Sequence, residues 1–212
     1  MCAQTARYTS HEQLFAEWRE RFEGVQGYLH PMEGFTLAML AMNGPGEGAI
    51  VEIGSFMGRS TCWLAAGSIE GGREVVHAVD HFKGSPEHQA WGSHPVKAIA
   101  DEGSTFNKFR ENIRRIGFEH HVTPIPLPSI RACVQWEGPI RLLFIDGDHS
   151  YEETKGDFDL WSPFIAPGGV VAFHDVGAWK GVTQFVNEMS ASNKAWKQIS
   201  AVNTLRVFQR AA

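Results

Sequence analysis

Four side chains are of the types that hold metal ions or move protons: Asp146, His149, His174 and Asp175. Asp146 closes the apolar run Ile140–Ile145, and His174-Asp175 closes another, Val170–Phe173. If those runs are neighbouring strands, their ends bring two carboxylates together, and such a pair can share one hard cation, Mg²⁺ foremost. The cation would grip a substrate oxygen and lower its pKa. Imidazole favours transition metals, so the ligand set Asp146, His174 and Asp175 also suits another divalent metal (Mn²⁺, Zn²⁺ or Fe²⁺), unless His174 is a base instead. His149, three residues after Asp146, has the near-neutral pKa of a general base. Asp148 beside it is positioned to orient that ring or to cap the helix that follows.

A second constellation is Val51-Glu52-Ile53-Gly54-Ser55-Phe56-Met57-Gly58-Arg59-Ser60-Thr61. Gly54 and Gly58 allow a tight turn and a close ligand approach. Ser60 and Thr61 open a helix whose free N–H groups favour a carboxylate. Phe56 occupies the second glycine position of a dinucleotide fingerprint, and no G-K-[ST] ending follows, so neither pyrophosphate motif is present. A cofactor with a carboxylate and no phosphate fits better, and S-adenosylmethionine has that chemistry; a plain glycine-rich turn is the bland alternative. Asp80 follows at the spacing at which an acidic residue takes ribose hydroxyls, although a lone Asp at a strand end also caps helices.

The elements that must position these groups alternate. Residues 11–22 and Glu33–Met42 read as helices, the second stopped by Asn43-Gly44-Pro45-Gly46. Then come the strand Ala49–Ile53, helix Ser60–Ser68, strand Val75–Val79, helix Phe106–Ile116, strand Val122–Ile125, helix Ser129–Trp136, strand Ile140–Ile145, helix Tyr151–Trp161, strand Val170–Phe173 and helix Gly181–Met189. Lys197–Val202 and Leu205–Gln209 read as a closing hairpin. The alternation predicts an α/β fold: a Rossmann-like, doubly wound, mostly parallel seven-stranded sheet with an antiparallel edge and helices on both faces. We expect one domain over 1–212, with an N-terminal helical cap (1–48) on a core (49–212). Residues 82–105 form an insert without a period, of the length that often serves as a lid or binding loop. His88, Trp91 and His94 within it, and His81 just before it, either face the acceptor or pack locally. Trp18, Trp136 and Trp161 read as core, and Trp179 as core or pocket wall.

At 212 residues and net charge −5 the chain carries no basic block, which argues against nucleic acid as a partner. Met1–Tyr8 has no signal-peptide pattern and no stretch is apolar for long enough to span a bilayer, so no membrane partner is expected. Cys2, Cys62 and Cys133 suggest neither a disulfide framework nor a zinc site, which fits a reducing cytoplasm. Homo-oligomer formation is left open.

Four segments together resemble the class I S-adenosylmethionine-dependent methyltransferases, methyltransferase-24 type, related to catechol, macrolide and cephalosporin-type O-methyltransferases. They are Val51–Ser55 with Gly58–Thr61; Ala78-Val79-Asp80; Leu143–Tyr151; and Pro167-Gly168-Gly169 through Phe173-His174-Asp175. Gly27-Tyr28-Leu29 is similar to the family's pre-strand segment. The resemblance implies that Glu52, Gly54, Ser55 and Gly58 surround the methionine part of the cofactor. It also implies Ser60 at the carboxylate, Asp80 at the ribose, Ser129 at the adenine, and Asp146 at the cofactor and any metal. A base is implied at His149. The metal-dependent relatives carry two adjacent carboxylate or amide ligands where this chain has His174-Asp175. The expected activity is O-methylation of a small-molecule or sugar hydroxyl, with or without metal assistance. The alternatives are N- or C-methylation without metal, a nicotinamide-dependent oxidoreductase or hydroxylase, and a non-catalytic protein that keeps the fold.

Overall fold

The computed structural model describes residues 10–192 and 194–211; Cys2 and the segment Met1–Tyr8 lie outside the described residues. The helix α1 (His11–Phe22) starts at Ser10, whose hydroxyl accepts from the Gln13 amide. The next, α2 (Pro31–Asn43), begins two residues before the expected Glu33. His30 and Glu33 cap each other's backbone there, and Pro31 fits the first turn because its missing N–H would have no partner.

The sheet follows as β1 (Ala49–Ile53), β2 (Val76–Val79), β3 (Val122–Ile125), β4 (Ile140–Ile145), β5 (Ile165–Phe173), β6 (Trp196–Val202) and β7 (Leu205–Arg210), in the order β3-β2-β1-β4-β5-β7-β6. The first five are parallel, as expected. The closing hairpin adds β7 antiparallel to β5, with β6 outside it. Its turn holds Asn203 in the left-handed region, φ 46°, which asparagine tolerates better than most residues. β5 starts five residues before the expected Val170, because Ile165 already pairs with Ile140 ahead of an irregularity in the ladder.

The helices α3 (Arg59–Glu70), α4 (Lys97–Glu102), α5 (Phe106–Ile116), α6 (Ser129–Val134), α7 (Tyr151–Trp161) and α8 (Lys180–Ser192) complete the chain. Period-two alternation in the central strands feeds two cores. Ile50, Leu142 and Phe144 pack with Trp18, Phe22 and Trp63 on one face. Val51, Ile53, Leu143 and Ile145 pack with Trp161, Phe158 and Phe185 on the other. Arg141 is fully buried, where its guanidinium pairs with Glu74 and donates to the last carbonyls of α2 at Leu40 and Ala41. Strand order reverses between β1 and β4, so a crevice opens beyond their carboxyl ends. Among the described residues no helix is long and apolar enough to cross a membrane.

Candidate functional site

That crevice is a cleft of about 660 Å³. Gly54, Ser55, Ser60, Asp80, Ser129, Asp146, His149, His174 and Asp175 all line it. Glu52 and Gly58 do not; they lie behind its wall.

The turn after β1 makes the cleft's floor. Gly54 (φ 87°) and Gly58 (φ 91°) are left-handed, as the tight turn requires. The close approach they permit is to the protein rather than to a ligand. A Cβ on Gly54 would sit 2.0 Å from the carbonyl oxygen of Asp146, and one on Gly58 would press on Phe109 and Ile113. Glu52 is fully buried beneath the turn and accepts from the Thr61 hydroxyl. Burial pushes its pKa up to about 7, against the nearby hydroxyls of Ser60, Thr61 and Ser55. Its Oε1 and the Ser55 hydroxyl are buried without a hydrogen-bond partner.

Asp80 does more than present a carboxylate to the cleft. Its Oδ2 accepts from the amides of Ser55 (3.0 Å) and Phe56 (2.7 Å), and its Oδ1 from Phe82 (2.6 Å). Phe56 (φ 48°) and Phe82 (φ 58°) are both left-handed, a conformation that costs a non-glycine residue about 1–2 kcal/mol. One side chain therefore fixes two strained loops, and lone pairs remain for a hydroxyl donor.

At the next wall, Ser129 accepts from the Trp161 indole at 2.8 Å. Asp157 lines the cleft near it, and burial raises its pKa to about 6, against a hydrogen bond from Ser129. The periodicity could have singled out Asp157, since it shares the buried face of α7 with Thr154, Phe158 and Trp161.

The two histidines occupy different environments. His149 stacks on Trp179 (centroids 4.5 Å, 15° between planes). Its Nε2 lies 3.0 Å from Asp175 Oδ2 and its Nδ1 3.0 Å from Glu87 Oε1. Burial disfavours its charge, but Asp175, Asp146 and Glu87 outweigh burial and hold its pKa above the ordinary imidazole value. Asp148 does not orient the ring: it accepts from the Ser150 amide, and Ser150 caps α7.

His174 is buried, with Nδ1 3.0 Å from Asp146 Oδ1 and Nε2 3.1 Å from Glu33 Oε2. Burial opposes its cation too, yet the carboxylates of Asp146, Asp175 and Glu33 prevail and hold its pKa well above the ordinary imidazole value. Both His174 nitrogens already face carboxylates, which speaks against the metal and base roles expected for it. Among the described residues the group that could hold an ion is Asp146, His149 and Asp175, whose ligand atoms lie within 4.8 Å of one another. Asp175 itself is left-handed, φ 64°. Burial would raise its pKa, but His149 and His174 hold it well below the carboxylate range.

Glu33 completes the buried knot. Besides His174 it accepts from the His30 amide and, through Oε1, from the amide and hydroxyl of Thr204, each at 2.8 Å. Burial is again opposed by these partners, and its pKa falls to about 2. Its sequence signal was only that of a capping residue. Glu87 had no signal, because it sits in the aperiodic insert, in the short 3₁₀ turn Pro86–His88.

Aromatic groups wall the remaining side. His88 stacks on Phe56 (5.0 Å) and on Tyr28 (5.9 Å), whose rings also meet each other at 6.0 Å, and His94 meets Tyr28 edge-on. Of the rings on and beside the insert, His81, His88 and His94 line the cleft, whereas Trp91 is exposed to solvent.

A family described as a methyltransferase domain matches residues 51–176. An uncharacterized protein of Sinorhizobium fredii is 27% identical over 146 residues, 67% of this chain; the chain spans only 15% of that relative's length. Among solved structures, the chain is similar to an O-methyltransferase from Bacillus cereus in complex with SAH (TM-score 0.63, 18% identity, 99% of this chain and 94% of that one). It is also similar to the O-methyltransferase TomG from Streptomyces achromogenes in complex with SAM (TM-score 0.60, 16% identity, 99% and 93%). At these identities the likeness is one of fold.

Proposed function

From the premise that this chain belongs to the methyltransferase-domain family matched over residues 51–176, we propose that it moves the methyl group of S-adenosylmethionine to a hydroxyl of a small molecule. The cofactor reading is supported by the cleft's chemistry. Glu52 Oε1 and the Ser55 hydroxyl are buried acceptors without partners behind the glycine turn, which suits an ammonium-bearing ligand. Ser60 in the first turn of α3 suits a carboxylate, Asp80 a pair of hydroxyls, and Ser129 the base. When bound, the cofactor supplies an electrophilic methyl group on its sulfonium. The chain's own work is to align the acceptor, exclude water and remove a proton.

The observation that carries the hydroxyl reading is His149. It is a half-buried imidazole on the cleft wall, flanked by carboxylates that stabilise the imidazolium formed when it takes a proton. Trp179 and the cluster of Tyr28, His88 and Phe56 offer flat ring walls to an acceptor. A second reading, metal assistance, is favoured by the spacing of Asp146, His149 and Asp175. That donor set of two carboxylates and one imidazole fits Mn²⁺, Zn²⁺ or Fe²⁺ better than Mg²⁺. Loss of turnover under exhaustive chelation, restored by one of these ions, would select it.

The described chain is proposed to act as one domain with an N-terminal cap. Its buried free thiols, Cys62 and Cys133, suit a reducing compartment such as the cytoplasm. Calorimetry with S-adenosylmethionine tests the cofactor reading, and its pH dependence tests Glu52. Behind the turn, the carboxylate attracts an ammonium in the cleft only when it is charged, and burial favours its neutral form below about 7. Affinity should therefore tighten about tenfold between pH 6 and pH 8. No heat at either pH sinks the cofactor reading; equal affinity at both removes Glu52 from it.

A further inference from the structure

We propose that Asp157 reads the base of the cofactor: its carboxylate, beside Ser129, accepts an N–H of the adenine amino group and makes the cleft selective for a 6-amino purine. The inference rests on the S-adenosylmethionine reading and assigns a buried group that the methyl transfer itself does not use.

A carboxylate is seldom buried without a cation or several donors. Asp157 is only 7% exposed, yet it lines the cleft. The charges that act on it are those of Glu153 and Asp148, both acidic, and the donor beside it is the Ser129 hydroxyl. What the position lacks, among the described residues, is a cation or a second donor. A ligand that brings an N–H into the cleft would supply one.

Three elements set the geometry. Asp157 and Trp161 stand one turn apart on the buried face of α7. The Trp161 indole donates to Ser129 Oγ at 2.8 Å, which docks the first residue of α6 against that face. Ser129 has one proton, and it is directed to Asp157, so the carboxylate is held in place with lone pairs to spare. From the turn after β4, Gly147 brings bare backbone close: a Cβ there would lie 3.3 Å from Asp157 Oδ2. Ser129 and Gly147 both line the cleft, as do Pro128, Ile130 and Leu160, which offer apolar contact to the faces of a flat base.

The chemistry then selects among bases. An ionised carboxylate only accepts. Adenine presents a donor at its 6-position, whereas a 6-oxo purine presents an acceptor oxygen there. That oxygen would face a buried carboxylate and be repelled by it. Neither Asp80, which already accepts from three amides, nor Ser129 alone makes this distinction, because a hydroxyl suits either partner.

The experiment is calorimetric titration of the full chain at pH 8, where the Asp157 carboxylate is ionised. The ligands are S-adenosylhomocysteine, its 6-oxo counterpart S-inosylhomocysteine, and the analogue with hydrogen at the 6-position. Wild type should bind the 6-oxo compound about 10–100-fold more weakly than the 6-amino one, with the unsubstituted purine between them. Asp157→Asn keeps the shape and can turn its NH₂ to the oxygen, so the preference should shrink to about threefold or less. Asp157→Ala should flatten it as well, by removing the acceptor. Thermal unfolding shows which variants fold, and one folded variant is enough. Equal affinity of wild type for the 6-amino and 6-oxo compounds overturns the proposal. So does an undiminished preference in a folded variant, which would leave Asp157 as a clamp on Ser129. Both of those outcomes leave the cofactor reading standing. Failure of wild type to bind any of the three would defeat that reading, and this proposal with it.

Discussion

His149 and His174 follow the ends of neighbouring strands, share Asp175, and both carry a ring able to move a proton. The structure gives them opposite characters. His174 lies under the cleft with both nitrogens turned to carboxylates, and it ties α2 and the ends of β4 and β5 together. His149 lies on the wall, where its charge is adjustable. The difference teaches that burial and partner count, rather than residue type or motif position, separate a structural imidazole from a reactive one.

The largest test of this contrast is His174→Ala. It would leave Glu33, Asp146 and Asp175 facing one another without their cation, a change that costs about 3–5 kcal/mol for a broken buried pair. Denaturant unfolding should show that loss, and wild-type stability would break the comparison. His149→Ala should do the reverse. Turnover should fall about 10²–10⁴-fold, while unfolding shifts little and S-adenosylmethionine still binds. Full activity would remove His149 from the mechanism.

Acid separates the two poles more finely. The pKa of Glu33 is about 2 in the fold against an ordinary 4.5, so it is depressed. Its contribution to stability is present above pH 4.5 and is lost as pH falls toward 2. Glu33→Gln should therefore be less stable than wild type at neutral pH, and the gap should narrow in acid; a gap of constant width would show that the knot is not ionic. His149 is raised instead. Turnover should climb with pH, with its midpoint above that of an ordinary imidazole. The smallest effect expected is that of Trp179→Ala, which removes the ring stacked on His149 at a cost of about 1 kcal/mol in transition-state stabilisation, read as a lower kcat/KM.

The legibility of these features in the sequence followed the range of the forces behind them. Helix and strand placement depends on neighbours a few residues apart, so α1, α5, β3, β4 and α7 begin and end where periodicity put them. The glycine turn was legible for the same reason, since Gly54, Gly58 and Phe56 act locally. The knot was not. Glu33 and His174 are 141 positions apart, and nothing near either one announces the other. Hence His174 looked like a metal ligand when considered beside Asp175, whereas its second nitrogen was already committed to α2. Glu87 was hidden for another reason: it sits in a short 3₁₀ turn of the insert, which leaves no period to read. Asp80 was half legible. Its place at the strand end pointed to a ligand, but its grip on Phe56 and Phe82 depends on backbone geometry that sequence spacing does not encode.

That grip has a consequence for how the molecule would tolerate change. The turn under the cofactor space and the root of the insert hang from the two oxygens of one carboxylate. In a deep mutational scan, position 80 should behave as two positions superimposed, because a replacement without side-chain acceptors frees both loops at once. Even Asp80→Asn, nearly identical in shape, exchanges one acceptor oxygen for a donor and sets it against an amide that is itself a donor. Variants that retune the insert for another acceptor would then have to arise elsewhere along residues 82–105, with Asp80 held constant as the pivot of both.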